Sequence, residues 1–122
     1  MPSRPPQGFH SVTARIVALD PGAVVTFLRT VFDASGELVP GRPAEMHLGD
    51  SLVMVSGAEG REAFPAFLYI YVDDADRTWA RAVDAGAQSV EEPFDTPYGD
   101  RRGMVRDAAG NVFQIAHRRT GG

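Results

Sequence analysis

The spacing of apolar residues changes from a strand pattern to a helix pattern early in the chain. SVTARIVAL (11–19) alternates and is rich in β-branched residues, which predicts a strand. Asp20 then offers a helix N-cap, and Pro21 is typical of the first helical position. Apolar residues follow at helical spacing: Val24, Phe27, Leu28 and Val31. We therefore predict a strand followed by a helix that ends near Phe32.

The same succession returns in the middle of the chain. AFLYIYV (66–72) alternates aromatic and aliphatic residues, and it is the strongest strand pattern in the sequence. Asp73 and Asp74 offer a second N-cap, and Gly86 is a typical helix stop. Trp79 lies at helical spacing with neighbouring apolar residues, which predicts a place in the core. A second strand–helix unit is expected here.

A β-hairpin is predicted after each unit. AEMHL and SLVMVS flank Gly49-Asp50, while GMVRD and NVFQIAH flank Gly110-Asn111, and both dipeptides are typical of tight turns. PFDTPYGDRR (93–102) is predicted to be a loop. Because the order of elements repeats, we predict an α+β fold of two βαβββ modules that form a curved mixed sheet around a cleft.

The length of the chain sets the expected domain organisation. The 122 residues suit a single domain, predicted over 11–122, with modules at about 11–57 and 66–118. The Pro-rich residues 1–10 are expected to form a flexible N-terminal arm.

Composition then narrows the classes of function. The chain has no Cys, which excludes disulfides and thiolate ligands. Its net charge of −4 and the lack of a basic block argue against nucleic acid as a partner. We find neither a signal-peptide pattern nor an apolar run long enough for a membrane span, so a cytoplasmic location without membrane partners is expected.

Three segments carry a resemblance to a known family. They are LDPGAVVTFLRTVFDA, IYVDDADRTWARAVDAGA and EPFDTPYGDRRGMVRDAAGNVFQIA, which begin at Leu19, Ile70 and Glu92. In this order the chain resembles the vicinal oxygen chelate superfamily, which includes glyoxalase I, bleomycin-resistance proteins and extradiol dioxygenases. Ala108 stands where the family pattern usually has Pro. The resemblance implies a U-shaped cleft that holds a divalent metal in the enzymes, and it implies a homodimer.

The resemblance also implies where metal ligands would fall. Carried over by register, the four positions are Thr13, Val53, Phe67 and Gln114. Val and Phe cannot coordinate a metal, Thr is a poor ligand, and a lone amide oxygen does not hold a catalytic ion. We therefore expect no metal, no cofactor and no catalytic residue at these positions. The four positions are expected to converge on one cavity.

A rearranged metal site is the alternative that the residues leave open. Glu45 and His47 share one face of a predicted strand, and with Gln114 they would supply three donors. A metal-dependent lyase, isomerase or dioxygenase would then be the function. A solvated strand face is the simpler explanation of the Glu45 and His47 pair.

Alternation along the predicted strands assigns residues to the cleft. The expected ligand-binding residues are Thr13, Arg15, Val53, Phe67, Tyr69, Tyr71 and Gln114, with Phe94 and Tyr98 in a candidate lid at the mouth. No Asp or Glu falls on the assigned cleft positions. A cluster of Arg101, Arg102 and Arg106 with interleaved Asp residues is expected to be a solvated loop.

The predicted cleft is mostly apolar and aromatic with a few polar groups, which is typical of a small-molecule site. The first hypothesis is a metal-free binding protein of the bleomycin-resistance type that sequesters an aromatic or amphipathic compound such as an antibiotic. Each residue also has a simpler explanation: the aromatic rings could fill space, Arg15 could form a salt bridge, and Gln114 could bond to neighbouring backbone.

Overall fold

Two helices and seven strands follow one another in a computed structural model of the protein, which describes residues 5–120. The first four residues of the predicted arm lie outside the described residues. Neither helix within this range is long and apolar enough to cross a membrane. The elements are β1 (Ala14–Ala18), α1 (Pro21–Phe32), β2 (Ala44–Leu48), β3 (Ser51–Gly57), β4 (Phe67–Tyr71), α2 (Ala75–Asp84), β5 (Gln88–Asp95), β6 (Asp100–Arg106) and β7 (Val112–Arg118).

Both helices begin at the predicted caps. The Asp20 side chain accepts a hydrogen bond of 3.2 Å from the Ala23 amide, and the Asp74 side chain accepts one of 3.2 Å from the Arg77 amide. Each bond satisfies a backbone donor that the first helical turn would otherwise leave unpaired. The prediction that α1 ends near Phe32 is confirmed.

The strands form two separate sheets, one for each module. The first has the order β1-β3-β2 and the second has the order β4-β7-β6-β5. In both sheets the strand before the helix lies parallel to the last strand of its module. The predicted α+β fold of two modules is therefore confirmed. The first module has one strand fewer than expected, and an isolated bridge between Ser35 and His47 extends its outer edge.

The two modules share one hydrophobic core. The ring of Phe113 on β7 is fully buried and lies 5.5 Å from that of Phe27 and 5.6 Å from that of Phe32, both on α1. The helix of the first module thus packs on the sheet of the second. Trp79 on α2 also packs against this core, as predicted.

The prediction of a single loop over 93–102 is wrong. Strands β5 and β6 occupy most of this segment, and only residues 96–99 turn between them. The turn is closed by Thr96, whose hydroxyl donates to the Asp100 carbonyl and accepts from the Asp100 amide, both at 3.0 Å. Gly99 provides the positive φ of 95° that the turn requires. The Pro and Gly residues that suggested a long loop belong to a short hairpin.

Candidate ligand-binding site

The second sheet leaves one of its faces uncovered. Leu68 and Ile70 on β4 point toward the helices and pack against the core. Their neighbours point the other way: Phe67, Tyr69 and Tyr71 are 65, 36 and 61% exposed. We call this uncovered side of the second sheet the open face. It also carries Arg102, Met104, Gln114 and Ala116, which pair in register across β6, β7 and β4.

An aromatic row runs along the edge of the open face. The rings of Tyr69 and Tyr71 lie 5.3 Å apart, and Phe67 precedes them on the same side of β4. Gln114 is half-buried beside this row, in register with Tyr69 on one side and Met104 on the other. Rings held on a strand lose little freedom when a ligand binds, so this row is suited to stacking on a planar compound.

A buried carboxylate lies next to the aromatic row. Asp100, at the start of β6, is fully buried. Its Oδ2 atom accepts hydrogen bonds from the Tyr69 hydroxyl at 2.6 Å and from the Tyr71 hydroxyl at 2.9 Å. Its Oδ1 atom accepts one from Arg118 at 3.1 Å. These donors, led by Tyr69, hold the pKa of Asp100 below its ordinary value because they favour the charged form.

Arg102 forms the second polar centre of the open face. Its guanidinium donates to the Tyr98 hydroxyl at 2.9 Å and to Glu91 at 3.0 Å, and it lies 5.1 Å from the centre of the Phe94 ring. The side chain is only 15% exposed. Three partners around a planar guanidinium leave the side chain little rotational freedom.

Sequence reasoning missed both polar centres. The cleft positions assigned from the sequence contain no Asp or Glu, whereas in the structure Asp100 and Glu91 contribute carboxylates to the open face. Arg102 is not part of a solvated loop, whereas Arg101 does form exposed ion pairs with Asp76 and Asp95, as that prediction implied. Residues 100, 102 and 104 share one face of β6 by strand alternation, but the Pro and Gly residues around them favour a loop in the sequence.

The first module places its expected site residues elsewhere. β1 pairs in register with β3 so that Arg15 lies opposite Met54 and Ala14 lies opposite Val53. The prediction that Val53 shares a face with Arg15 is therefore wrong, and Val53 packs in the core under α1. Arg15 donates to Ser56 at 2.9 Å and lies 3.9 Å from Glu59, which matches the salt-bridge alternative.

A groove of about 450 Å³ runs between the two sheets beside the open face. It is lined in part by Val12, Ser51, Val53, Tyr69 and Tyr71. Thr13 lines a different depression, together with Glu45, Met54 and residues of the N-terminal arm. Val53 lines the groove and Thr13 lines the second depression, while Phe67 and Gln114 line neither of the two, so the expected convergence of the four positions on one cavity stays a prediction.

The donor chemistry does not fit a divalent metal at these positions. Within the described part of the chain no three His, Cys, Asp or Glu side chains come together as a possible metal site. The rearranged set does not converge either. Glu45 and His47 lie on β2, an edge strand of the first sheet, and Gln114 lies on β7 inside the second. These positions therefore bring together fewer donor atoms than a divalent ion requires.

Comparison with known proteins identifies the family. The profile of the Glyoxalase/Bleomycin resistance protein/Dioxygenase superfamily matches residues 11–115. The chain belongs to this superfamily. The resemblance read from the sequence is thereby confirmed.

Solved structures of the superfamily share the fold. TioX from Micromonospora sp. ML1 is 24% identical with a TM-score of 0.76, and the match covers 88% of this chain and 97% of TioX. A glyoxalase/bleomycin resistance protein/dioxygenase family enzyme from Burkholderia phytofirmans PsJN is 20% identical with a TM-score of 0.75, covering 87 and 96%. At these identities the likeness shows the fold alone.

A shorter match links the chain to a curated relative. It is 42% identical over 48 residues to the Mycobacterium bovis protein named "Putative glyoxylase CFP32". The matched segment covers 39% of this chain and 18% of that relative. The chain thus spans under a fifth of the superfamily relative that it matches.

Proposed function

We propose that this superfamily member binds a small, planar aromatic or amphipathic molecule, such as an antibiotic, on the open face and sequesters it without chemical conversion. The observation that carries the proposal is the row of Phe67, Tyr69 and Tyr71, which is exposed on a rigid strand. Exposing large rings is unfavourable in water, and burying them under a ligand would recover that cost.

The surroundings of the row support a binding role. The groove of about 450 Å³ adjoins Tyr69 and Tyr71, and its volume falls within the range of small-molecule sites, roughly 300–1,000 Å³. Gln114, Arg102 and Tyr98 add a few fixed polar groups to a mostly apolar surface. We propose Val53, which lines the groove, as a further contact from the first module and Phe94 as part of the rim, whereas Thr13 and Arg15 lie outside this groove.

The donor set supports binding without a metal. The four family positions offer one amide and one hydroxyl, and no cofactor is proposed. The names of the relatives include both an enzyme of the family and a glyoxylase, which keeps a metal-dependent reaction as the competing function. No arrangement of side chains on the open face favours that reaction over binding.

We further propose that the chain acts as a cytoplasmic homodimer in which a second copy covers part of the open face. The exposure of Phe67 and Tyr71 supports this, because a ligand held on an uncovered sheet would remain half solvated.

The proposal is tested by titrating planar aromatic antibiotics and naphthalene derivatives while Trp79 and Tyr fluorescence is recorded. Phe67→Ala should weaken binding about tenfold, which corresponds to roughly 1.4 kcal/mol. Leu38→Ala is the matched control, because Leu38 is an exposed apolar residue (44%) in the first module away from the open face. No saturable binding by any compound, or equal binding by both variants, would contradict the proposal.

Metal content separates the two candidate functions. Protein purified without chelators should contain no stoichiometric divalent ion by elemental analysis. One tightly held ion per chain, together with loss of that ion in Gln114→Ala, would instead favour the enzyme.

A further inference from the structure

We infer that the phenol oxygen of Tyr98 acts only as a hydrogen-bond acceptor toward the ligand and so selects planar aromatic compounds that carry an O–H or N–H donor at their edge. This inference rests on the proposed binding function and adds the class of compound that the site prefers. It follows from the number of hydrogen-bonding protons on four connected side chains: Arg102, Tyr98, Tyr69 and Asp100.

Arg102 fixes one side of the Tyr98 hydroxyl. Its Nη1 atom lies 2.9 Å from the Tyr98 oxygen. A guanidinium carries hydrogen atoms on every nitrogen and accepts no hydrogen bond, so it must donate to Tyr98. One of the two lone pairs of the Tyr98 oxygen is thereby used, and the Tyr98 proton must point elsewhere.

Asp100 fixes the direction of the next bond. Asp100 is hydrogen-bonded to two phenols and a guanidinium. In its ionised form the carboxylate has no proton, so it accepts all three hydrogen bonds. The bond from Tyr69 is the shortest, at 2.6 Å, as expected for a charge-assisted hydrogen bond. Tyr69 has one hydroxyl proton, and it is donated to Asp100 in this hydrogen bond.

Tyr98 must then donate to Tyr69. Their oxygens lie 3.3 Å apart, which is long for a hydrogen bond between hydroxyls, and Tyr69 has no second proton to offer. The donors therefore run in one direction, from Arg102 through Tyr98 and Tyr69 to Asp100.

One lone pair of Tyr98 remains for a ligand. The Tyr98 side chain is half exposed, and it stands beside the aromatic row of β4. A donor on a stacked ligand would complete the bonding of this oxygen. An ether or carbonyl oxygen of a ligand at the same place would face the Tyr98 lone pair with a lone pair of its own. It would form no hydrogen bond, and the two oxygens would repel each other.

The test uses two probes with the same ring system, 2-naphthol with an O–H donor and 2-methoxynaphthalene with an O–CH3 group in its place, titrated by calorimetry at neutral pH. The wild-type protein should prefer 2-naphthol by about three- to tenfold, the range expected for one hydrogen bond. Tyr98→Phe should remove the preference, because the phenyl ring offers no acceptor to distinguish the two probes.

Two further variants test whether the direction of the hydrogen bond from Tyr98 to Tyr69, rather than the loss of any hydroxyl group, causes the preference. Tyr69→Phe removes the acceptor for the Tyr98 proton, so this proton can turn toward the ligand and the preference should shift toward 2-methoxynaphthalene. Tyr71→Phe also removes a donor to Asp100 but lies outside the Arg102–Tyr98–Tyr69 chain. It should therefore change both affinities by the same factor.

The outcomes distinguish this inference from the proposed function. Saturable binding of both probes with equal affinity in the wild-type protein, or a preference that survives Tyr98→Phe, would overturn the inference and leave the binding function standing. Absence of binding by either probe would overturn both.

Discussion

The Tyr69 hydroxyl donates a 2.6 Å hydrogen bond to Asp100 and thereby joins two strands that are not neighbours. Tyr69 lies on β4 and Asp100 on β6, with β7 between them in the sheet. The bond fixes the phenol ring on the open face and satisfies a carboxylate that is removed from water. A charge buried in this way is tolerated only when its oxygens are hydrogen-bonded. Under the proposed function, ligand recognition and folding stability therefore depend on the same pair.

Asp100 should make the free energy of unfolding depend on acid pH. Its pKa in the folded chain lies below 3.8, because Tyr69, Tyr71 and Arg118 donate to the charged form. A lowered pKa contributes stability that is present above pH 4 and is lost as the pH falls through the folded-state pKa. Asp100→Asn should be less stable than the wild-type protein at pH 7, and the difference should shrink below pH 4.

Urea denaturation followed by Trp79 fluorescence measures this difference. Asp73→Asn is the control, since Asp73 is an exposed acid before α2. A stability difference for Asp100→Asn that stays constant from pH 7 to below pH 4 would argue against the assigned hydrogen bonds.

The two phenols that donate to Asp100 should make the free energy of unfolding depend on alkaline pH. Burial and the hydrogen bond to Asp100 raise the pKa of Tyr69, and the hydrogen bond to Asp100 raises the pKa of Tyr71, both above the ordinary 10.0. A raised pKa contributes stability that is complete below pH 10 and is lost as the pH rises through the folded-state value.

The absorbance of phenolate reports these two groups directly, because the chain has three Tyr residues. In the folded protein Tyr69 and Tyr71 should ionise only above the pH at which free tyrosine does. In Asp100→Asn both should ionise at lower pH than in the wild-type protein. Identical titration curves for the two proteins would contradict the assignment.

Gly103 should be intolerant of a side chain because of Trp79. A Cβ atom at Gly103 would lie 2.7 Å from Trp79 Cδ1 and 3.2 Å from Pro93 Cγ. The indole or α2 must move to make room, and such overpacking costs about 1–3 kcal/mol. Gly103→Ala should lower the free energy of unfolding by this amount in urea denaturation.

Gly57→Ala is the matched control for this substitution. Gly57 also lies in a strand, but its nearest neighbour to an added Cβ atom is Pro21 Cγ at 4.0 Å. We expect a change within about 0.5 kcal/mol, as for substitutions without a specific mechanism. Equal losses of stability at the two positions would mean that Trp79 on α2 does not pack closely against Gly103 on β6.

Asn111 should be more important for stability than its place in a turn suggests. Its Oδ1 atom accepts from the Ala66 amide at 2.9 Å and its Nδ2 atom donates to Asp107 at 3.0 Å, with 1% of the residue exposed. Asn111→Ala leaves these buried partners unpaired, which costs about 1–3 kcal/mol. Gln88→Ala is the control, since it removes an amide from the surface. Thermal unfolding should show a clear loss for Asn111→Ala only.

Local signals were sufficient to predict much of the fold. Asp20 and Asp74 cap their helices through their own side chains, and Gly49-Asp50 turns a hairpin between adjacent strands. Each of these features depends on residues within a few positions of one another. The amphipathic pattern of β4 was equally local, which is why Phe67 and Ile70 lie on opposite faces as expected.

Features that depend on distant partners were not predictable in the same way. The face of Val53 follows from the parallel register of β1 with β3, which no local pattern specifies. Asp100 reads as a solvated loop residue because its partners Tyr69 and Arg118 are remote in the sequence. Its burial becomes evident only when the sheet is assembled.

The alternation along β4 and β7 has a consequence for how such proteins diverge. Leu68, Ile70, Phe113 and Ile115 hold the strands on the core, while Phe67, Tyr69, Tyr71 and Gln114 occupy the intervening positions. Phe67 and Gln114 take no part in the hydrogen bonds to Asp100 described above, so substitutions there can change the chemistry of the open face without disturbing the packing beneath. Tyr69 and Tyr71, in contrast, also satisfy the buried Asp100. The two strands thus separate positions that hold the architecture from positions whose chemistry is free to change.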